Sequence, residues 1–434
     1  QVTNAHGHAT RALTGDLAAP PALMEKWRRR ALIFGVVFTL LAVVLVVLAQ
    51  VMENDGFLHL LTSWLMGAVL CWGFALGGLA LLMVQYCSGG KWGLLIRRPL
   101  EAMSRTLWLT ALMFLPILIF MKKLYLWARY SNPSEVAQAL SQGLIDKGQA
   151  HALNWKHPML SPVSVWVQIV VCFVIWSGYT FVLNRQSLRR DADPNPNVPF
   201  WQKRFENISG FGIVVYALTL TVLVIDLVMS TNITWFSTMY GLNYLVAQGY
   251  AVLALSVVTV VSLSKAEPMK TILRPTEQHD LGKLMFAFVM LNIYLNFSQY
   301  LIIWSGNSPE EISWYLDRIR GHWGVFFTFD FIFHWLIPFC LLLSRDIKRN
   351  KRRIVIVGMW MIWARCFDMF MLIEPNFSPR NLHFSIGILE YIAVPGAMIS
   401  FWVVAYLREL GKRPLVQTND PHLAEILEAE HAHA

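Results

Sequence analysis

The sequence predicts an all-α polytopic membrane protein with ten transmembrane helices and both termini in the cytoplasm. Three observations lead to this class. Hydrophobic residues make up 56% of the 434 residues and charged residues only 15%, which leaves too little polar surface for a soluble protein of this length. Apolar runs of spanning length recur along the chain, and Lys and Arg concentrate in alternate loops.

Ten apolar runs are long enough to cross a bilayer, whose hydrocarbon core requires about 20 residues of helix. They cover Ala31–Ala49, Phe57–Met83, Leu107–Leu126, Val163–Leu183, Ile208–Met229, Tyr240–Leu263, Leu284–Trp304, Trp323–Leu343, Ile354–Ile373 and Phe384–Leu407. We therefore predict a ten-helix membrane domain over residues 31–407.

The distribution of Lys and Arg predicts the orientation, because short cytoplasmic loops retain positive charge. Most of the 36 basic residues lie in the two tails, 1–30 and 408–434, and in every second loop. These loops cover residues 87–106, 184–204, 264–283 and 344–353. We expect all of them to be cytoplasmic. The formal net charge of +9 follows from this bias and gives no reason to expect nucleic-acid binding.

The two tails differ in character. The N-terminal tail is polar and ends in Trp27–Arg30, a flank that also occurs in signal peptides. The apolar run behind it has spanning length and no small-residue cleavage site closes it, so we expect a retained first helix. In the C-terminal tail, Pro421–Glu430 is typical of a short acidic amphipathic helix, which we interpret as a docking segment.

The cysteines and histidines indicate no metal or redox cofactor in this chain. All five Cys residues lie in or at the ends of apolar runs, and none has the spacing of a metal, iron-sulfur or covalent haem site. Candidates for a b-type haem within the membrane are limited to His59, His334 and His383, two of which lie at helix ends. We therefore expect a chain without a bound cofactor.

One four-residue pattern occurs twice. Arg98-Pro99-Leu100-Glu101 follows the second predicted helix, and Arg274-Pro275-Thr276-Glu277 follows the sixth. Proline and glutamate both favour the first turn of a helix, so common capping rules explain the match equally well. The alternative is a duplicated unit, in which helices 2–5 and 6–9 form two four-helix bundles and helices 1 and 10 flank them.

Six ionisable side chains interrupt segments that otherwise have the composition of transmembrane helices. They are Asp226, Asp330, His334, Arg365, Asp368 and Glu390. A charge at a helix centre costs about 2.5–3.5 kcal/mol on insertion scales, so these residues indicate a function within the membrane, and we expect it to involve protons. Polar side chains concentrate in the outer halves of the helices, and the cytoplasmic halves are predicted to be drier.

Helical spacing places some of these groups on shared faces. Asp330 and His334 are four residues apart on the eighth helix. Arg365 and Asp368 are three residues apart on the ninth, which allows an ion pair of structural or functional role.

The carboxyl groups without a strong partner are the candidates for proton transfer. Apart from His334, no basic residue lies at helical spacing from Asp226, Asp330 or Glu390. Burial in a dry site favours the neutral form of a carboxyl group, which can take up and release a proton. These carboxyl groups predict the outer half of a proton path through the membrane. Alternatively, they form the polar end of a pocket for a quinone, whose ring oxygens need a hydrogen-bond partner.

The most specific sequence pattern covers helix seven and the loop after it. It reads HDLGKLMF over His279–Phe286 and FSQYLIIW over Phe297–Trp304, and it continues with Asn307, Pro309-Glu310-Glu311 and Trp314-Tyr315. This pattern resembles the ActF subunits of bacterial alternative complex III, which are NrfD-like (polysulfide reductase membrane subunit-like) proteins. The helix count and the cytoplasmic ends agree with the resemblance.

The resemblance implies the NrfD-like fold, with two four-helix bundles and flanking helices. It also implies a complex in the bacterial cytoplasmic membrane that oxidises quinol and reduces a periplasmic cytochrome c or high-potential iron-sulfur protein. Haem c and iron-sulfur clusters would lie in partner subunits, and the quinol in a related ActC-like membrane subunit. This chain would not be an enzyme by itself. It would anchor the complex and contribute to proton translocation.

Each candidate residue has an expected role in that complex. Asp226, Asp330, His334 and Glu390 are expected to line a route to the outer surface, continued toward the cytoplasm by His279, Asp280 and Lys283. We expect Arg365 and Asp368 to form a structural ion pair. The loop residues Trp314 and Tyr315 are expected to contact periplasmic subunits.

Two other functions are compatible with the sequence. One is a quinone-binding NrfD-like subunit of another oxidoreductase, in which Asp330 and His334 would meet the quinone head. The other is a secondary transporter, for which we would expect paired broken helices and a substrate site in the middle of the membrane.

Overall fold

The computed structural model describes residues 17–53, 56–378, 386–420 and 422–423. Every regular element in these ranges is a helix, and ten helical segments are long and apolar enough to cross a membrane. The predicted all-α polytopic class and the ten spans are therefore confirmed. His383 and most of the predicted docking segment Pro421–Glu430 lie outside the described residues.

The spans are numbered α1 to α10 in chain order. Seven are single helices: α1 (Pro21–Glu53), α2 (Gly56–Ser88), α4 (Pro162–Asp191), α5 (Val198–Leu227), α6 (Tyr240–Ser262), α7 (Pro275–Gly306) and α9 (Lys351–Ile373). Three are composite: α3 (Trp92–Ser104 and Leu107–Ile119), α8 (Trp323–Asp330, the π-helical turn Phe331–Leu336 and Ile337–Leu343) and α10 (the 3₁₀ turn Ile386–Leu389 and Glu390–Leu410). Short helices in the connections include Pro133–Ser141, Lys147–Lys156, Pro309–Ile319 and Arg345–Arg349.

The spans pack into two rings of four. α2 contacts α3 and α5, and α4 contacts the same two helices. In the same way α6 contacts α7 and α9, and α8 contacts the same two. The rings meet where α6 packs against α2 and α5, while α1 lies along α10 and both pack against α2.

The two ends of this bundle differ in charge. Connections 89–91, 192–197, 263–274 and 344–350 lie at one end, which we call the basic end. The segments before α1 and after α10 also meet there, through a bridge between Ala18 and Pro414. Connections 120–161, 228–239 and 307–322 lie at the opposite end.

The segment predicted as the loop 87–106 is mostly a buried helix, so that prediction was wrong. Trp92–Ser104 forms the first half of α3, and Arg97, Arg98 and Glu101 are each at most 3% exposed. Buried charges are tolerated when they are paired, and Arg98 donates to Glu101 at 2.6 Å and also pairs with Asp191. The half of the ring α2 to α5 nearer the basic end therefore contains buried charged side chains, where the sequence predicts few polar groups.

The C-terminal segment completes this charged network. Arg97 donates to both Gln417 and Asp420, and Arg190 donates to Gln417. Gln417 in turn donates to Glu101 at 3.0 Å. Residues after α10 therefore close the basic end of the ring α2 to α5.

The repeated Arg-Pro-x-Glu pattern forms the same ion pair at both sites. Arg98 pairs with Glu101, and Arg274 pairs with Glu277. Pro275 occupies the first turn of α7, as capping rules predict. The other proline lies inside the helix Trp92–Ser104. Capping therefore accounts for one copy, and the Arg–Glu pair is what the two copies share.

Candidate functional site

A cavity of about 260 Å³ lies within the ring α6 to α9, in the half nearer the opposite end. Its polar wall consists of Tyr240, Asn243, Tyr244, Asn296, Gln299, Arg318, Asp330, Arg365 and Asp368. Aromatic rings supply much of the remainder, and two of them, Phe297 of α7 and Phe331 of α8, are 52% and 42% exposed. The cavity therefore reaches the outer face of the bundle between α7 and α8.

Four of the predicted residues lie together here: Asp330, Arg365 and Asp368 line the cavity, and His334 lies beside Asp368 without lining it. Arg365 donates a hydrogen bond to one carboxylate oxygen of Asp368, one turn along α9. The other oxygen of Asp368 lies 3.8 Å from Nδ1 of His334 on α8. One ligand atom from each of Asp330, His334 and Asp368 lies within 4.8 Å of the other two. Residues from two helices thus form one cluster.

The π-helical turn Phe331–Leu336 positions His334. The Tyr250 hydroxyl donates to the His334 carbonyl at 3.1 Å, and Trp360 Nε1 donates to the Phe333 carbonyl at 2.9 Å. The Tyr250 ring also meets the imidazole edge-on, with centroids 4.9 Å apart. Turns of this type are rare and frequently mark functional sites. The imidazole is 2% exposed and is held between α6 and α9.

The helix Pro309–Ile319 covers the cavity at the opposite end, and Arg318 attaches it to α9. The guanidinium donates to the carbonyls of Met371 and Leu372, both at 3.1 Å, and to Oδ1 of Asn376 at 2.9 Å. Carbonyls at a helix C-terminus lack intrahelical partners and carry partial negative charge. Burial lowers the pKa of Arg318 to about 9, with nearby tyrosine and aspartate side chains acting in the opposite direction. The side chain thus remains a cation at neutral pH.

The side chains of Trp314 and Tyr315 face the interior of the protein. They are 8% and 6% exposed. Trp314 stacks on Trp235 with centroids 4.8 Å apart, and the Arg318 guanidinium lies 3.5 Å from the centroid of its ring. Tyr315 meets Tyr300 edge-on at 5.2 Å. We expected these rings at a subunit contact, whereas the amphipathic helix that carries them turns its aromatic face toward the cavity.

Asp226 lies apart from the cavity, near the end of α5. It is fully buried, and its carboxylate accepts no hydrogen bond from the described residues. Its carbonyl accepts from Ser230, whose hydroxyl in turn accepts from Trp127 at 3.0 Å. The Tyr125 hydroxyl donates to the carbonyl of Leu227 at 2.7 Å. The structure therefore places this carboxyl beside the connection after α3, not in the cluster.

Glu390 is fully buried at the start of the α-helical part of α10 and does not line the cavity. The hydroxyl of the adjacent Tyr391 donates to Glu374 and lies 2.6 Å from Oγ1 of Thr62. Ser378 donates to Glu374 at 2.9 Å. Sequence reasoning missed Glu374 because it follows the apolar run of α9 and precedes a proline, a position that is typical of a solvated loop.

The predicted cytoplasmic continuation lies at the surface of the basic end. Asp280 and Lys283 form an exposed ion pair at 2.9 Å, and His279 is half-buried beside them. Exposed pairs of this kind contribute little to stability. Lys283 and Asn296, the nearest cavity residue on α7, are separated by about 20 Å of helix. Neither this cavity nor the smaller one beside Gly73 and Gln248 is lined by any of these three residues.

Comparison with known proteins found no family model and no curated protein that matches this chain.

Proposed function

We propose that this chain is a membrane subunit of a quinol-oxidising complex of the alternative complex III type, and that its cavity is the outer part of a proton path. The resemblance of helix seven and the following loop to ActF subunits supports the assignment to this complex. Residues of that same pattern line the cavity, among them Phe297, Gln299, Tyr300, Trp314 and Tyr315. The most recognisable stretch of sequence and the candidate site therefore coincide.

The observation that carries the proposal is that Asp330, Arg365 and Asp368 line the cavity and that His334 lies beside Asp368. Arg365 is engaged by Asp368. In the described structure, Oδ1 of Asp330 and Nε2 of His334 have no hydrogen-bond partner. Asp330 is therefore the lining group available to exchange a proton with water in the cavity, and His334 lies within the same cluster behind it.

The rest of the complex follows from the resemblance. Haem c and iron-sulfur clusters belong to periplasmic partner subunits, and an ActC-like membrane partner holds the quinol. This chain supplies an anchor in the bacterial cytoplasmic membrane and a route for protons, and it carries no redox centre. The basic end then faces the cytoplasm and the cavity lies toward the periplasm, as the distribution of Lys and Arg predicts.

Asp330→Asn tests the proton path. Electron transfer from quinol to the periplasmic acceptor should be largely unchanged in detergent, because no redox centre depends on this carboxylate. In sealed vesicles, fewer protons should be released per electron. Asp346→Asn, which neutralises an exposed carboxylate in the helix Arg345–Arg349, is the matched control. Equal proton yields in Asp330→Asn and in the control would refute the path.

A quinone site is the second candidate, and the opening of the cavity between α7 and α8 favours it. α7 packs against α8 along Ile337–Leu343, whereas Phe297, Phe331 and Trp335 line the cavity between the same helices in the other half. An aromatic opening toward lipid is suited to a hydrophobic ring. If Asp330→Asn abolished quinol oxidation in a complex that still assembled, the cavity would be assigned to quinone binding.

A further inference from the structure

The cluster at the cavity wall has the composition of a metal site. It combines one imidazole with two carboxylates, and their ligand atoms lie within 4.8 Å of one another. Asp330 and His334 come from one turn of α8, whereas Asp368 comes from α9. A metal ion bound between the three side chains would therefore connect the two helices. No regular spacing in the sequence reveals this set, because its third member is on another helix.

The side chains are only partly engaged by the protein. His334 is 2% exposed, and its Nδ1 faces Asp368 at 3.8 Å, beyond hydrogen-bond distance. Oδ1 of Asp330 has no hydrogen-bond partner among the described residues. Asp368 uses one oxygen for Arg365 and keeps the other toward His334. One nitrogen and two oxygens therefore lie close enough together to share one ion.

The spacing fits a small dication after a modest adjustment. A zinc ion takes its nitrogen and oxygen ligands at roughly 2.0–2.2 Å, which places tetrahedral ligands about 3.4 Å apart. The 4.8 Å limit on the observed spacing thus requires a closure of at most about 1.4 Å, within reach of small side-chain rotations. The cavity supplies space for a water molecule as the fourth ligand.

The donors and the charge select the class of ion. Imidazole with carboxylates suits zinc and its first-row neighbours, whereas calcium and magnesium prefer oxygen ligands alone. Arg365 offsets one of the two carboxylate charges and so disfavours very tight binding. From these observations we propose that Asp330, His334 and Asp368 reversibly bind one divalent transition-metal ion of the zinc class, which enters through the cavity.

Metal binding is independent of the proposed function, but its effect on proton movement rests on that function. A bound ion would occupy the carboxylate of Asp330 that otherwise exchanges protons. If the cavity is a proton path, zinc added on the side of the opposite end should lower the proton yield of sealed vesicles. If zinc binds and the proton yield does not change, the metal site stands and the proton path is refuted.

The experiment measures zinc bound to the purified complex by equilibrium dialysis against ZnCl₂. The wild type should bind one zinc ion more than Asp330→Asn and His334→Gln, or bind it at least about tenfold more tightly. The matched control is His151→Gln, which removes an exposed histidine from the helix Lys147–Lys156. It should leave zinc binding at the wild-type level.

The same zinc content in the wild type and in both cluster variants would overturn the proposal. A variant that fails to assemble is replaced by a measurement on the wild type. A density map of the zinc-soaked complex should show a peak between Asp330, His334 and Asp368. An empty position there at saturating zinc would equally refute the site.

Discussion

Arg365 and Asp368 form an ion pair one turn apart on α9, and the pair leaves one carboxylate oxygen of Asp368 facing His334 on α8. An arginine does not lose its charge in a protein, so Arg365 keeps Asp368 engaged and orients its second oxygen toward the cavity cluster. The spacing of the sequence predicted the pair. It did not predict the third member, which lies on another helix.

Arg365→Met is expected to lower the amount of assembled protein. It leaves the Asp368 carboxylate at the cavity wall without its partner, and breaking a buried pair typically costs about 3–5 kcal/mol. Adding Asp368→Leu removes the orphaned charge and should restore most of the yield. The yield and the thermal unfolding of the purified protein measure both effects. Normal assembly of the single variant with altered turnover would place Arg365 in the functional path instead.

Arg318→Gln is expected to detach the helix Pro309–Ile319 from the end of α9. Three acceptors at the end of α9 would lose this donor, and each unsatisfied buried group costs roughly 1–3 kcal/mol. Arg318→Lys should restore little, because an ammonium cannot reproduce the planar arrangement of guanidinium donors. The measurement is the midpoint of thermal unfolding. Arg320→Gln, at an exposed position of the same loop, is the control and should leave the midpoint unchanged.

The fold class was predictable because apolar runs of spanning length are a direct consequence of the bilayer. The bounds of the helices were less predictable where a helix contains polar residues. The charged residues of Trp92–Ser104 predict a loop, and only the structure shows that Asp191, Gln417 and Asp420 pair with them. Partners from distant parts of the chain leave no local signal in the sequence.

Asp420→Asn is expected to loosen the C-terminal segment from the basic end. Burial opposes the charge of Asp420, but Arg97 and Arg190 outweigh it and hold the pKa of this carboxyl below its usual range. A carboxyl with a lowered pKa adds stability above its ordinary value of about 3.9, and that stability is lost as the pH falls below this value. The variant should therefore lose stability at neutral pH and less of it in acid.

Susceptibility of the C-terminal segment to proteolysis is the measurement for Asp420→Asn. Lys412→Gln, which changes an exposed side chain of the same segment, serves as the control. Equal resistance of Asp420→Asn and the control at neutral pH would show that the contacts of Arg413, Gln417 and Asn419 retain the segment without Asp420.

Only part of the candidate site was predictable from the sequence, because residues that meet from distant parts of the chain leave no local signal. Helical periodicity placed Asp330 with His334, because residues four apart share a face. It could not show that α9 brings Asp368 to them, nor that Glu390 lies in other surroundings, since both depend on how the helices pack. The inward orientation of Trp314 is another consequence of packing, because an aromatic residue in a short loop helix suits a partner surface and a cavity wall equally well.

Asp226→Leu is expected to raise stability and to lower proton yield together. The buried carboxylate of Asp226 has no hydrogen-bond partner among the described residues, and such a group costs roughly 1–3 kcal/mol that an apolar side chain of similar size avoids. A residue retained at that cost is expected to act in proton transfer, so its removal should reduce the protons released per electron in sealed vesicles. Asp226→Asn keeps the shape without the titrating group and should lower the proton yield without the gain in stability. A lower unfolding midpoint in Asp226→Leu would show that the carboxylate is satisfied in the folded protein and would remove the argument for its role.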